Sequence, residues 1–121
     1  MKPGSRSLAV LLGLVLVASA ASQWWAHGRE QRQGTRLAVL AQPGDIRMLS
    51  SETCVYCATA RRFLAEHRVR FDECFIERDT QCKLLYEATQ SRGTPTVIVR
   101  GSVQLGFDAD KVLAALQAPG G

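Results

Sequence analysis

The stretch ETCVYCATARRF, residues 52–63, decides the fold because it sets two cysteines at the start of a predicted helix. Apolar and aromatic positions recur at the spacing of one helical face: Cys57, Ala60, Phe63, Leu64 and His67. The helix should therefore begin at the cysteine pair and run for about 14 residues. Its N-terminus supplies unpaired N–H groups and a partial positive charge, which stabilise a thiolate and lower the pKa of Cys54. Cys57 lies one turn on, where it can attack a mixed disulfide formed at Cys54. The pattern predicts a redox dithiol.

Other roles for the cysteines stay open. Cys54, Cys57 and Cys74 could bind zinc, although the seven residues between Cys74 and Cys82 do not fit the short spacing of a zinc ribbon. A purely structural Cys54–Cys57 bridge would restrain little chain entropy. For Cys74 and Cys82 we predict a disulfide that closes a strand-to-helix connection, with two buried thiols or a second redox relay as alternatives. We predict no resident metal.

The segments around this helix give the order β-α-β-α-β-β-α. Strands are predicted in DIRMLS (45–50), VRFDECFIE (69–77), PTVIVRG (95–101) and SVQLG (102–106). Asp79 or Thr80 caps a second helix, and Asp108 caps a third. The continuous apolar run after Pro95 is typical of a central strand that is buried on both faces. We therefore predict an α/β domain, a four-stranded mixed sheet with helices on both faces, in the minimal thioredoxin-like layout.

The N-terminal stretch MKPGSRSLAVLLGLVLVASAASQWW, residues 1–25, has a basic start, an apolar run and small residues in an A-x-A arrangement. The run falls short of the roughly 20 residues that a span needs, so the stretch fits a cleavable export signal. Counting on through Trp24 and Trp25 nearly reaches that length, so an uncleaved membrane anchor stays open. Both interpretations place the rest of the chain in the periplasm or another extracytoplasmic compartment, where disulfides persist.

Residues 26–44 are polar and are predicted to be a linker with one short apolar docking segment, Leu37 to Leu40. The domain is predicted to occupy residues 45–117. The formal charge of +4 includes Lys2 and Arg6 of the leader. The remaining basic residues alternate with acidic ones, which argues against a nucleic-acid partner. We interpret neither His27 nor His67 as a ligand or base.

Three segments together resemble the glutaredoxin family of the thioredoxin-like superfamily: SSETCVYC (50–57), RGTPTVIV (92–99) and LGFDADKVLAAL (105–116). The resemblance covers about residues 45–117. It implies thiol-disulfide oxidoreductase activity, with Cys54 as nucleophile and Cys57 as resolving thiol. It also implies a substrate groove flanked by Tyr56, a cis-proline at Pro95 that points the Thr94 carbonyl at the cysteines, and a far wall that includes Asp108.

The chain departs from the family pattern near the first cysteine. Ser51 and Glu52 replace a usual basic residue, Val55 replaces a usual proline, and Gly106-Phe107 replaces Gly-Gly. These changes remove an electrostatic partner and backbone room for glutathione. We expect no cofactor beyond the Cys54–Cys57 disulfide, with glutathione disfavoured. Protein thiols and disulfides are the expected partners, together with an unidentified electron donor or acceptor. The alternative is a non-catalytic or metal-handling module that passes Cu(I) or Zn through the same thiolates.

Overall fold

The computed structural model describes residues 3–119. The chain divides into two compact units, Met1–Arg32 and Gln33–Gly121. Helix α1 runs from Pro3 to Leu40. Its apolar part is exposed, has a mean hydropathy of 1.8, and is long and apolar enough to cross a membrane. Export signals and membrane anchors share this property, so α1 is a candidate for either.

The second unit contains the predicted order of elements after α1. They are β1 (Ile46–Ser50), α2 (Val55–Glu66), β2 (Asp72–Phe75), α3 (Thr80–Ala88), β3 (Thr96–Val99), β4 (Ser102–Leu105) and α4 (Ala109–Gln117). The predicted β-α-β-α-β-β-α order is confirmed. Strand β2 is shorter than the predicted segment of residues 69–77.

The four strands form one mixed sheet in the order β2-β1-β3-β4. Strand β1 is parallel to β2 and antiparallel to β3, while β3 is antiparallel to β4. Val97 and Val99 of β3 are buried, as expected for a central strand, and β4 forms an edge. Parallel β1 and β2 end on the same side of the sheet, since Leu49 pairs with Cys74 and Ser50 with Phe75. The segments that follow these two strands therefore leave the sheet together.

Side-chain caps start the three helices of this unit. Cys54 precedes α2, and its sulfur accepts a hydrogen bond from the Cys57 N–H. The carboxylates of Asp79 and Asp108 each accept two backbone N–H groups at the starts of α3 and α4. Such caps satisfy N–H groups that have no partner within the helix. Asp108 was predicted as a cap from the sequence, and Asp79 was one of two predicted caps for α3, the other being Thr80.

The end of α1 belongs to the second unit, whereas residues 26–44 were predicted to be a linker with a docking segment from Leu37 to Leu40. Helix α1 continues through this region to Leu40, and the second unit begins at Gln33. Leu37 is fully buried in the hydrophobic core, and Ala41 is nearly so. Gln33 Nε2 donates to Asp110 Oδ1 at 2.7 Å. A side chain at Gly34 would overlap the ring of His67. The compact unit thus starts upstream of the predicted boundary at Asp45.

Candidate functional site

The cysteine pair lies where β1 leads into α2. Cys54 is half-buried at the cap position of α2, with φ −85° and ψ 108°, whereas Cys57 is fully buried one turn later. The two form a disulfide with a Cα–Cα distance of 5.2 Å. The Cys57 N–H lies 3.0 Å from Cys54 Sγ. The more accessible Cys54 sulfur therefore faces the helix N-terminus, which stabilises the thiolate that a nucleophile needs. The buried Cys57 sulfur can react only with Cys54.

The loop before β3 lies beside this sulfur. The Thr94–Pro95 peptide bond is cis. The Thr94 carbonyl oxygen lies 3.3 Å from Cys54 Sγ. Pro95 is buried, and its own carbonyl accepts the Gly106 N–H at 2.7 Å. Thr94 and Pro95 thus lie beside the cysteine pair, as the sequence predicted.

A groove of about 370 Å³ opens next to the pair. Its lining residues come from α2, the cis-proline loop and the end of β4: Tyr56, Thr59, Ala60, Phe63, Thr94, Pro95, Leu105, Gly106 and Phe107. Tyr56 flanks it as predicted and is 78% exposed. Asp108, the predicted far wall, does not line the groove. Its carboxylate is occupied by the N–H groups of Asp110 and Lys111 at the start of α4.

The groove has an apolar, uncharged lining. None of the nine described residues that line it carries a charge. Phe107 packs against Phe63 with 5.5 Å between ring centroids, and Leu105 is 63% exposed at the rim. Such a surface suits apolar side chains of an extended polypeptide. It offers no charged partner to the carboxylates of a small peptide such as glutathione.

Glu73 forms a partly buried ionic network beneath the cysteine helix, and sequence reasoning missed it. Arg61 donates two hydrogen bonds to its carboxylate at 2.7 and 2.8 Å, and the buried Ser50 hydroxyl donates a third at 2.6 Å. Burial acts to raise the pKa of Glu73, but the bonds from Arg61 and Ser50 outweigh it and hold that pKa below the usual glutamate value. The network ties β1, β2 and α2 together.

A second polar cluster holds the turn that precedes Cys54. The Glu77 carboxylate accepts hydrogen bonds from the Ser51 hydroxyl and from the Glu52 N–H. The Arg78 guanidinium pairs with the Glu52 carboxylate and lies 4.3 Å from the centre of the Phe75 ring. A signal for this cluster was present in the sequence. Since β1 and β2 are parallel neighbours, the residues that follow them must meet at one edge.

Cys74 and Cys82 form a second disulfide, between β2 and α3, with a Cα–Cα distance of 6.0 Å. In this state Cys74 is not a third ligand beside Cys54 and Cys57. Among residues 3–119, no three His, Cys, Asp or Glu side chains are grouped to hold a metal ion. His67 packs on the Phe63 ring with a centroid distance of 4.5 Å.

Comparison with known proteins gives one family and one fold. Residues 46–104 match the glutaredoxin family model. A mutant of the thioredoxin-like protein BC3987 has 29% identity and a TM-score of 0.52, over 60% of this chain and 95% of that one. The glutaredoxin of Methanosarcina mazei Go1 has 23% identity and a TM-score of 0.52, over 62% of this chain and 80% of its own, which supports the fold. Among curated proteins no sequence matches.

Proposed function

Because the globular domain is a glutaredoxin-like member of the thioredoxin-like superfamily, we propose that it is a thiol-disulfide oxidoreductase that acts on protein disulfides outside the cytoplasm. One observation carries the proposal. The half-buried Cys54 sulfur is held at the start of α2, next to the Thr94 carbonyl, with Cys57 buried behind it. A nucleophile, a substrate-facing backbone group and a resolving thiol are thus in one place.

The reaction proceeds in two exchanges. The Cys54 thiolate attacks one sulfur of a client disulfide, so that the client's S–S bond breaks and its other sulfur leaves as a thiolate. Cys57 then loses its proton and attacks Cys54 Sγ in the mixed disulfide, which releases the second client thiolate. Two electrons pass to the client, and the Cys54–Cys57 disulfide remains. A donor dithiol returns the pair to the reduced form by the same steps in reverse.

The surrounding residues support each exchange. The Cys57 N–H, 3.0 Å from Cys54 Sγ, stabilises negative charge on that sulfur before attack. The Thr94 carbonyl can accept a hydrogen bond from the backbone of an extended client chain while its sulfur approaches Cys54. The apolar groove beside Tyr56 and Leu105 then receives the side chains that flank the client cysteine.

Two features support a location outside the cytoplasm. The Cys74–Cys82 disulfide closes a short connection in a small domain, as is usual for proteins in oxidising compartments. Helix α1 contains a candidate membrane span with a leader-like basic start. We propose that the domain works there either after signal cleavage or while tethered by α1.

Trapping of mixed disulfides tests the function. In the full chain, Cys57→Ser should accumulate mixed disulfides at Cys54, because the resolving thiol is gone while the nucleophile remains. Cys54→Ser is the matched control and should accumulate none. Non-reducing gels followed by peptide mapping measure both. Equal capture by the two variants would contradict the assigned roles, and stoichiometric metal that protects both thiols from alkylation would favour a metal-handling module instead.

A further inference from the structure

We propose that Glu77 is a positioning residue for Cys54: it holds the turn before the nucleophile, and the Cys74–Cys82 disulfide fixes the segment that carries Glu77. The inference rests on the proposed function, since it concerns the same nucleophile. It gives the second disulfide a role in the reactivity of the first.

Glu77 reaches the nucleophile through three hydrogen bonds. Its carboxylate accepts the Ser51 hydroxyl and the Glu52 N–H, the latter at 3.2 Å. The Ser51 carbonyl in turn accepts the Cys54 N–H at 3.2 Å, which closes a tight turn over residues 51–54. The side chain of Glu77 therefore fixes the start of the turn, and the turn places Cys54 at the cap of α2.

The segment that carries Glu77 is itself fastened at both ends. Before it, the Ile76 N–H donates to the Ser50 carbonyl at 3.0 Å, which extends the contact between β1 and β2. After it, the Asp79 N–H donates to the Phe75 carbonyl at 3.2 Å. The disulfide from Cys74 to Cys82 spans this connection with a sequence separation of 8. Reduction of the disulfide would leave the connection without a covalent link.

Glu77 acts on the Cys54 thiolate in two opposite ways. As an acceptor it holds the turn that keeps Cys54 Sγ close to the Cys57 N–H, which favours the thiolate and its attack. As a charge it disfavours a neighbouring thiolate, although Arg78 beside it offsets part of this effect. The Ser51 hydroxyl lowers the pKa of Glu77, so the carboxylate is charged at neutral pH. Substitutions that keep or remove the acceptor separate the two effects.

The test compares Glu77→Ala with Glu77→Gln in the full chain in detergent micelles. After mild reduction that opens only Cys54–Cys57, the pH dependence of iodoacetamide alkylation is followed at Cys54 by mass spectrometry. Glu77→Ala should raise the midpoint of this profile by roughly 0.2 to 0.7, the range expected from weakening a helix N-terminal interaction, and should slow exchange with a peptide disulfide. Glu77→Gln retains an acceptor oxygen and should stay at or below the wild-type midpoint. Glu87→Ala, an exposed carboxylate on α3, is the matched control and should change nothing.

A second pair of variants tests the role of the disulfide. Replacing Cys74 and Cys82 with alanine should raise the Cys54 midpoint in the same direction as Glu77→Ala. Adding Glu77→Ala to that background should raise it less than in the wild type, because both changes release the same turn. Circular dichroism of each variant checks that the domain is folded, and only folded variants are compared.

Three results would overturn the proposal. The first is a Glu77→Ala profile that matches wild type. The second is an equal lowering of the Cys54 midpoint by alanine and glutamine, which would assign the effect to charge. The third is full additivity with the cysteine variants, which would separate Glu77 from the second disulfide. If no variant exchanges any peptide disulfide, the proposed function fails, whereas the alkylation profile still decides whether Glu77 positions Cys54.

Discussion

Leu37→Ala should destabilise the redox domain, although Leu37 lies in helix α1 and precedes the predicted domain boundary. The side chain of Leu37 is 0% exposed and packs in the cluster that contains Met48 and Val97 of the central strands. Leucine-to-alanine changes at such buried sites cost about 2 to 5 kcal/mol, because transfer energy is lost and a cavity remains. For a fully buried site we expect about 3 kcal/mol. This is a large share of the 5 to 15 kcal/mol that stabilises typical domains.

Hydrogen exchange measures this loss in the domain itself. Both tryptophans, Trp24 and Trp25, lie in the first unit and not in the unit that contains the sheet. Amides of β1 and β3 that exchange through global unfolding should exchange faster in Leu37→Ala by a factor on the order of 100, as 3 kcal/mol requires. Peptide-resolved mass spectrometry of the oxidised full chain gives these rates.

Val39→Ala is the control for this prediction. Val39 lies in the same helix turn but is 72% exposed, so its truncation should change stability by no more than about 0.5 kcal/mol. Unchanged exchange of β1 and β3 in Leu37→Ala would refute the reasoning. So would an equal acceleration in both variants, since the effect would then not depend on burial.

Three further predictions concern Glu73, the Cys74–Cys82 disulfide and the reaction with glutathione disulfide. Glu73→Gln should lower stability by about 1 kcal/mol at pH 7. Because the fold lowers the pKa of Glu73, its contribution to stability is present above the usual carboxyl range and is lost as pH falls through the folded value, so the urea curves of variant and wild type should converge as the pH is lowered through that value. Alanine at both Cys74 and Cys82 should cost about 2 to 3 kcal/mol in urea unfolding, and in wild type this disulfide should outlast Cys54–Cys57 under mild reductant. The reduced Cys54–Cys57 pair should react more slowly with glutathione disulfide than with a neutral peptide disulfide, because anionic groups lie near Cys54. Added salt should therefore reduce the difference between the two rates.

Local signals in the sequence were enough to predict the order of elements. Asp79 and Asp108 each precede a helix and cap it, and the apolar run after Pro95 becomes the buried central strand. These features depend on residues that are close in the chain, so the pattern alone carries them. The cysteine pair was predictable for the same reason, because its spacing and the helix that follows lie within one short segment.

Two features that depend on distant partners were not predicted from the sequence. Leu37 was predicted to lie in a short docking segment of a linker, but its place in the core was not predicted, because that core forms only from segments far along the chain. Strand β2 was predicted over residues 69–77 from its composition, yet it pairs only from Asp72 to Phe75. Its partner β1 ends at Ser50, which pairs with Phe75, so among the described residues Ile76 and Glu77 have no strand partner. The length of a strand is thus limited by its neighbour as well as by its own residues.

The residues that depart from the family pattern near Cys54 make specific contacts in the structure. In the sequence, Ser51 and Glu52 signify only the loss of a basic residue. In the structure they are the two contacts through which Glu77 and Arg78 hold the turn. A glutathione carboxylate that approached this turn would meet side chains already engaged with one another, and then a groove with an uncharged lining. The two substitutions that remove a partner for an anion therefore also supply the contacts that hold the nucleophile, and this supports our proposal that the clients are polypeptides with apolar residues beside the reacting cysteine.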